Sequence, residues 1–243
     1  MAPKLGAVAS GTLRQLKTAL TLAPRLGTVG APDRQRSLER YHAIAQSYDR
    51  FTLAGDYFRR QAVARLAPAP GEVIIDVGCG TGRNFAAILN AIGPGGRLIG
   101  VELCQSMLDV ARSRIERHSW TNVELLHADV AQAEIPEIGN GALLCAVHDV
   151  MRSPAALANV LRHLRPRARI VAAGPKFVPW WGFDAFSMNF GTWWMNRACV
   201  TTFEGFDRPW SHLEPLVDNL DVDEVFGGGG YIASGIRPPA RKR

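Results

Sequence analysis

Apolar and polar residues fall into alternating blocks from residue 73 to about 173, and the period changes from block to block. Val73 to Val77, Arg97 to Val101, Asn122 to Leu126, Ala142 to Ala146 and Arg169 to Ala173 are short, largely apolar runs, which predicts buried strands. Before and between them, apolar residues recur at helical spacing over Asp56 to Leu66, Arg83 to Ala91, Gln105 to Arg117 and Ser153 to Leu164. Such alternation predicts a doubly wound α/β domain whose mostly parallel sheet is covered by helices on both faces. Past residue 173 the alternation stops. A helical aromatic segment is expected over Pro179 to Val200, then a helix from Trp210 to Val217. Two closing strands, Asp221 to Phe226 and Tyr231 to Ser234, flank the run Gly227 to Gly230, and no internal repeat is visible.

The join between the first strand and its helix reads Asp76-Val77-Gly78-Cys79-Gly80-Thr81-Gly82. Glycines at alternate positions let the backbone turn sharply and let a ligand lie against the main chain. A dinucleotide turn would read G-x-G-x-x-G, with amides facing a pyrophosphate. Here the spacing is G-x-G-x-G, and the carboxylate of Asp76 would repel an anion but welcome an ammonium group.

This motif, on a strand–turn–helix, resembles the first motif of class I S-adenosylmethionine-dependent methyltransferases. The resemblance implies a Rossmann-like seven-stranded sheet whose last strand is antiparallel, with S-adenosyl-L-methionine as cofactor. It assigns Asp76, Gly78, Cys79, Gly80, Thr81 and Gly82 to the cofactor's amino-acid end. Glu102, at the end of the second strand, stands where the family binds both ribose hydroxyls, and the segment from Leu103 to Met107 would wrap the adenosine. Family members mostly have Ser or Pro in that segment where this chain has Cys104 and Gln105. Asp129 and Val130, after the third strand, would receive the adenine amino group and a ring nitrogen. No metal ligand set is implied.

Composition adds a second layer. The 243 residues are 47% hydrophobic, enough for one α/β core with short extensions. The net charge of +6 lies at the ends: residues 1–32 and 236–243 each carry four cations and no acid, leaving the body slightly acidic. A nucleic-acid cleft is therefore not expected. In the first segment Leu5, Val8, Ala9, Leu13, Leu16 and Leu20 recur at helical spacing, so an interfacial helix on an anionic membrane, a transit peptide and an unstructured leader all remain open. The expected organisation is a basic extension at 1–34, a methyltransferase domain at 35–236 with a cap at about 177–210, and a basic tail at 237–243. Cys79, Cys104, Cys145 and Cys199 form no C-x-x-C, which points to a reducing, cytoplasmic setting, with peripheral membrane contact left open. No apolar run is long enough to span a bilayer.

Two further regions address the methyl acceptor. Tyr41, Ala45, Tyr48 and Asp49 resemble the Y-x-x-x-A-x-x-Y-D helix of methyltransferases acting on quinones and phospholipids, where the tyrosines border the transferring methyl. Helix packing is the alternative role. Eleven of the twenty aromatic residues lie between Phe177 and Trp210, too widely spread around a helix to face one core. They suit ordinary cap packing, an oligomer contact, a greasy substrate or a membrane surface. The segments Phe203 to Trp210 and Tyr231 to Gly235 resemble bacterial phospholipid N-methyltransferases and betaine-lipid-forming enzymes. His148, just past the fourth strand, is a candidate base because an ordinary imidazole titrates near neutrality, and Asp149 could orient it.

The expected activity is methyl transfer to a hydrophobic or amphipathic acceptor, foremost the amine of a lipid headgroup. The alternative is O- or C-methylation of a quinone, polyketide or other hydrophobic small molecule. A non-enzymatic membrane module and a nicotinamide oxidoreductase rank below these. Nucleic-acid base methylation ranks lower still, since His148-Asp149-Val150-Met151 stands where N-P-P-Y would be expected.

Overall fold

The computed structural model describes residues 32–239, apart from 53, 54, 180, 182, 183 and 198. The basic leader up to residue 31, the last four residues, Trp180 and Phe183 lie outside the described residues. In chain order the helices and strands are α1 (Arg34–Ile44), α2 (Tyr48–Phe51), α3 (Asp56–Leu66), β1 (Val73–Val77), α4 (Phe85–Ile92), β2 (Arg97–Glu102), α5 (Gln105–His118) and β3 (Val123–His127). There follow β4 (Gly139–Cys145), α6 (His148–Met151), α7 (Pro154–Arg162), β5 (Leu164–Pro175), α8 (Ala185–Asn196), β6 (Asp218–Val225) and β7 (Gly230–Ile236).

The seven strands form one sheet in the order β3-β2-β1-β4-β5-β7-β6. The first five are mutually parallel, and β7 runs antiparallel between β5 and β6. This is the expected sheet, including the reversed last strand. Strand alternation divides β1 between two cores. Ile75 and Val77 pack with Leu157 and Val160 of α7, while Ile74 packs with Leu66 of α3, Phe85 and Ile88 of α4 and Leu108 of α5. Each such fully buried aliphatic side chain stabilises the fold by about 1.5–3 kcal/mol.

Three elements differ from the sequence expectation. The helix anticipated from Trp210 to Val217 is two 3₁₀ turns, Pro209–His212 and Glu214–Leu216, because Pro215 lacks the amide an α-helix would use there. β5 begins at Leu164 rather than Arg169; its first residues are the exposed Arg165, Pro166 and Arg167, which hide the strand's apolar period. The tyrosine helix is two pieces, α1 and α2, joined by a turn in which the Ser47 amide donates to the Ile44 carbonyl at 2.9 Å.

The aromatic segment divides its faces as its spacing required. Phe177, Phe203 and Phe206 form a small buried cluster, and Trp193 packs against it. On the other side Trp181, Phe186 and Trp194 are 68%, 67% and 55% exposed, with Phe190 and Met195 beside them. Among the described residues no helix is long and apolar enough to cross a membrane.

Candidate active site

The chain reverses its winding direction between β1 and β4, and ligands of open α/β sheets bind outside the strand ends at such a point. A cavity of about 460 Å³ lies there. Its floor is the turn after β1. Gly78 has φ +63°, and a Cβ on it would come within 2.4 Å of Val147 Cγ1, so only glycine fits. Gly82, φ +77°, faces the ring of Phe85 and serves helix packing rather than the cavity wall.

Twelve of the residues singled out in the sequence line this cavity together: Gly78, Cys79, Gly80, Thr81, Glu102, Leu103, Met107, Asp129, Val130, Tyr41, Tyr48 and His148. Asp76 does not reach the wall. It sits on the Ile74 side of β1, fully buried, and accepts hydrogen bonds from Asn84 Nδ2 at 3.1 and 3.2 Å. Burial raises its carboxyl from 3.8 to about 7, against the opposing effects of Asn84 and the Arg59 charge. Asn84 Oδ1, by contrast, is buried without a hydrogen-bond partner among the described residues, on a residue that lines the cavity. The polar surface expected from Asp76 is thus presented through Asn84.

Glu102 is fixed by three amides. Its Oε2 accepts from Gly80 at 3.0 Å, and its Oε1 accepts from Leu103 at 2.9 Å and Cys104 at 2.8 Å. Burial raises its pKa, and these hydrogen bonds oppose the shift. Asp129 Oδ1 caps the Ala131 amide at 3.0 Å, while Oδ2 pairs with Arg34 at 2.7 Å.

Helices α1 and α2 roof the cavity. Ser37 Oγ donates to Asp149 Oδ2 at 3.1 Å, Arg40 donates to the Val200 carbonyl at 2.7 Å, and the Thr81 hydroxyl donates to Asp49 Oδ1 at 2.6 Å. The rings of Tyr41 and Tyr48 lie 6.1 Å apart, and burial holds both phenols protonated, Tyr48 at about 12. All four cysteines line the same cavity as free thiols, each with its pKa raised by burial. They act as apolar wall.

His148 departs from the sequence expectation. Its ring lies 4.2 Å from Phe206, and burial together with the Arg152 charge lowers its pKa to about 3. An imidazole that weakly basic is neutral at physiological pH and does not suit proton capture. Its Nε2 and the Oδ1 of Asp149 are both buried without hydrogen-bond partners among the described residues.

A turn with no Cβ at Gly78 and Gly80, an orphaned amide oxygen in front of a buried carboxyl, and acids at the end of β2 and after β3 fit a nucleoside with an amino-acid side arm. The chain carries a methyltransferase domain match over residues 74–167. It is 25% identical over 211 residues to a demethylmenaquinone methyltransferase of Lactococcus lactis, covering 82% of this chain and 83% of the relative. It is 27% identical to a demethylmenaquinone methyltransferase of Symbiobacterium thermophilum, over 80% and 84% of the two chains. The chain is an S-adenosylmethionine-dependent methyltransferase. A S-adenosylmethionine-dependent methyltransferase from Aquifex aeolicus shares the methyltransferase's fold, with TM-score 0.57, 12% identity, and coverage of 81% and 98%.

Sequence reasoning missed Asn84, Arg34, Ser37 and Arg59, all of which line the methyltransferase's cavity. Asn84 follows the glycine turn by two residues and could have been noticed as a polar residue opening a helix; the others carry no local signal.

Proposed function

We propose that this methyltransferase acts on a hydrophobic acceptor bearing a ring hydroxyl, such as a quinol, at oxygen or carbon. The carrying observation is the likeness to two demethylmenaquinone methyltransferases over four-fifths of both chains. The lipid-amine reading finds no comparable support in these relatives. Bound S-adenosylmethionine supplies an electrophilic methyl on its sulfonium. The protein's part is to hold the acceptor in line and dry, which favours a displacement without covalent catalysis.

Glu102, Leu103, Met107, Asp129 and Val130 hold the nucleoside, and the turn from Gly78 to Gly82 holds the amino-acid arm in front of Asn84 and Asp76. Tyr41 and Tyr48 cover the reacting centre from the roof. The thiols of Cys145 and Cys199 with Val147 and Val200 give the acceptor an apolar berth, supported by their place on the cavity wall. The unpartnered Asp149 Oδ1 accepts the acceptor's hydroxyl, and neutral His148 offers Nε2 as a second polar contact. The test is transfer of isotope-labelled methyl to a short-tailed demethylmenaquinol, a panel of simple phenols, and phosphatidylethanolamine. Label in a quinol or phenol supports the reading. Label only in the lipid amine overturns it.

A further inference from the structure

α8 carries no charged side chain from Ala185 to Asn196. A helix face turned to water ordinarily carries charges, yet four of this helix's five exposed residues are Phe186, Phe190, Trp194 and Met195. The first three recur at one-turn spacing and form a stripe. The rings of Phe186 and Phe190 lie 6.5 Å apart and nearly parallel, and those of Phe190 and Trp194 lie 6.1 Å apart. The stripe ends in a cation. Arg197 stacks over Trp194 at 3.6 Å from the ring centroid, and its Nε has no hydrogen-bond partner among the described residues.

The basic leader adjoins this end of the helix. Residues 1–32 hold four cations and no acid. The chain enters the described fold at Pro32, and the Asp33 amide donates to Thr201 Oγ1 at 3.0 Å, a few residues past Arg197. Aromatic rings flanked by cations complement the headgroup boundary of an anionic bilayer, where rings enter the acyl region and arginine reaches back to phosphate. A second copy of the chain offers the same uncharged stripe and the same cations, so it leaves the positive charge of both leaders unmatched. The bilayer matches stripe and charge at once.

We propose that the exposed face of α8 is a docking surface for an anionic lipid bilayer, with Phe186, Phe190 and Trp194 entering the interface and Arg197 and the basic leader supplying the attraction. Cys199 and Val200, just beyond the stripe, line the cavity, so docking brings the cavity's edge to the bilayer. The inference does not depend on which acceptor is methylated.

Co-sedimentation of the full chain with vesicles tests it. The vesicles are phosphatidylcholine alone, or equal parts phosphatidylcholine and phosphatidylglycerol, neither of which carries a primary amine or a ring hydroxyl. Wild type is compared with Arg197→Gln and with the pair Phe186→Ser and Trp194→Ser, after thermal melts establish that the variants fold. Wild type should bind the anionic vesicles at least about tenfold more tightly than the neutral ones. The serine pair should weaken that binding about 10- to 100-fold, and Arg197→Gln about fivefold. Phospholipid brominated along its acyl chains should quench wild-type tryptophan fluorescence, a readout that needs no variant. Wild-type binding by the folded serine pair overturns the proposal, as does a wild type that ignores anionic vesicles or is not quenched. A wild-type dimer in light scattering that the serine pair converts to monomer assigns the stripe to a second copy and overturns it too.

Discussion

Asn84 bridges both oxygens of Asp76 through one amide nitrogen, with the carboxyl wholly enclosed between β1 and the helices on its Ile74 side. This pair stores a pH dependence. The carboxyl titrates at about 7 in the fold against 3.8 as a free group, so the folded chain binds more protons between those values. Its contribution to stability is therefore greatest below about 4 and is lost as pH rises toward and through 7. Asp76→Asn abolishes that loss, and thermal melts should show the variant gaining about 5 °C on wild type at pH 8 relative to pH 5. The same variant should bind S-adenosylhomocysteine more weakly. Equal pH slopes in the two proteins would contradict this account.

Glu102 has no such latitude. With three amides donating to it, Glu102→Gln replaces one acceptor oxygen by a donor that faces other donors. Denaturant unfolding should show a loss of about 1–3 kcal/mol, and isothermal titration a cofactor affinity at least tenfold weaker, about the cost of one charged hydrogen bond.

His148 should stay silent where histidines usually titrate. A lowered pKa means stability is lost as pH falls from about 6.5 toward about 3, where the unfolded imidazole takes up its proton first, while the folded ring itself stays neutral from 5 to 8. Proton–nitrogen correlation spectra across that range should leave its ring resonances unmoved. A transition near 6.5 would return His148 to the role of base. His148→Asn should lower methyl transfer through acceptor placement, without altering the pH profile.

Arg34 and Asp129 form an exposed pair, their side chains 54% and 24% accessible, so their mutual attraction contributes little to stability. Asp129 is also the residue assigned to the adenine amino group, and Arg34 competes for it. Arg34→Ala should change the unfolding free energy by less than about 1 kcal/mol while tightening cofactor binding two- to fivefold at low salt, an advantage that fades as salt rises. Weaker binding would mean that Arg34 contacts the ligand directly.

The sheet and the glycine turn were legible because period and local geometry carry them. Five parallel strands follow from apolar runs, and the presence of Glu102 and Asp129 on the cavity wall follows from their places at strand ends. What escaped depends on tertiary pairing. Asp76 reads as a cavity acid until strand alternation puts it on the Ile74 side, under α3 and α4. Arg59 looks like any other arginine of an amphipathic helix, and only the folded chain shows that it lines the cavity. His148 was assigned a solution-like basicity that its contact with Phe206 and its nearness to Arg152 remove.

The outermost strand, β6, is tied to the rest of the sheet through β7. Peeling β7 from β5 therefore releases both ribbons at once and bares Tyr231, whose ring rests 5.3 Å from that of Trp210. Deuterium uptake should accordingly proceed in step across residues 218–236, ahead of the central strands, as one detachable margin of the molecule.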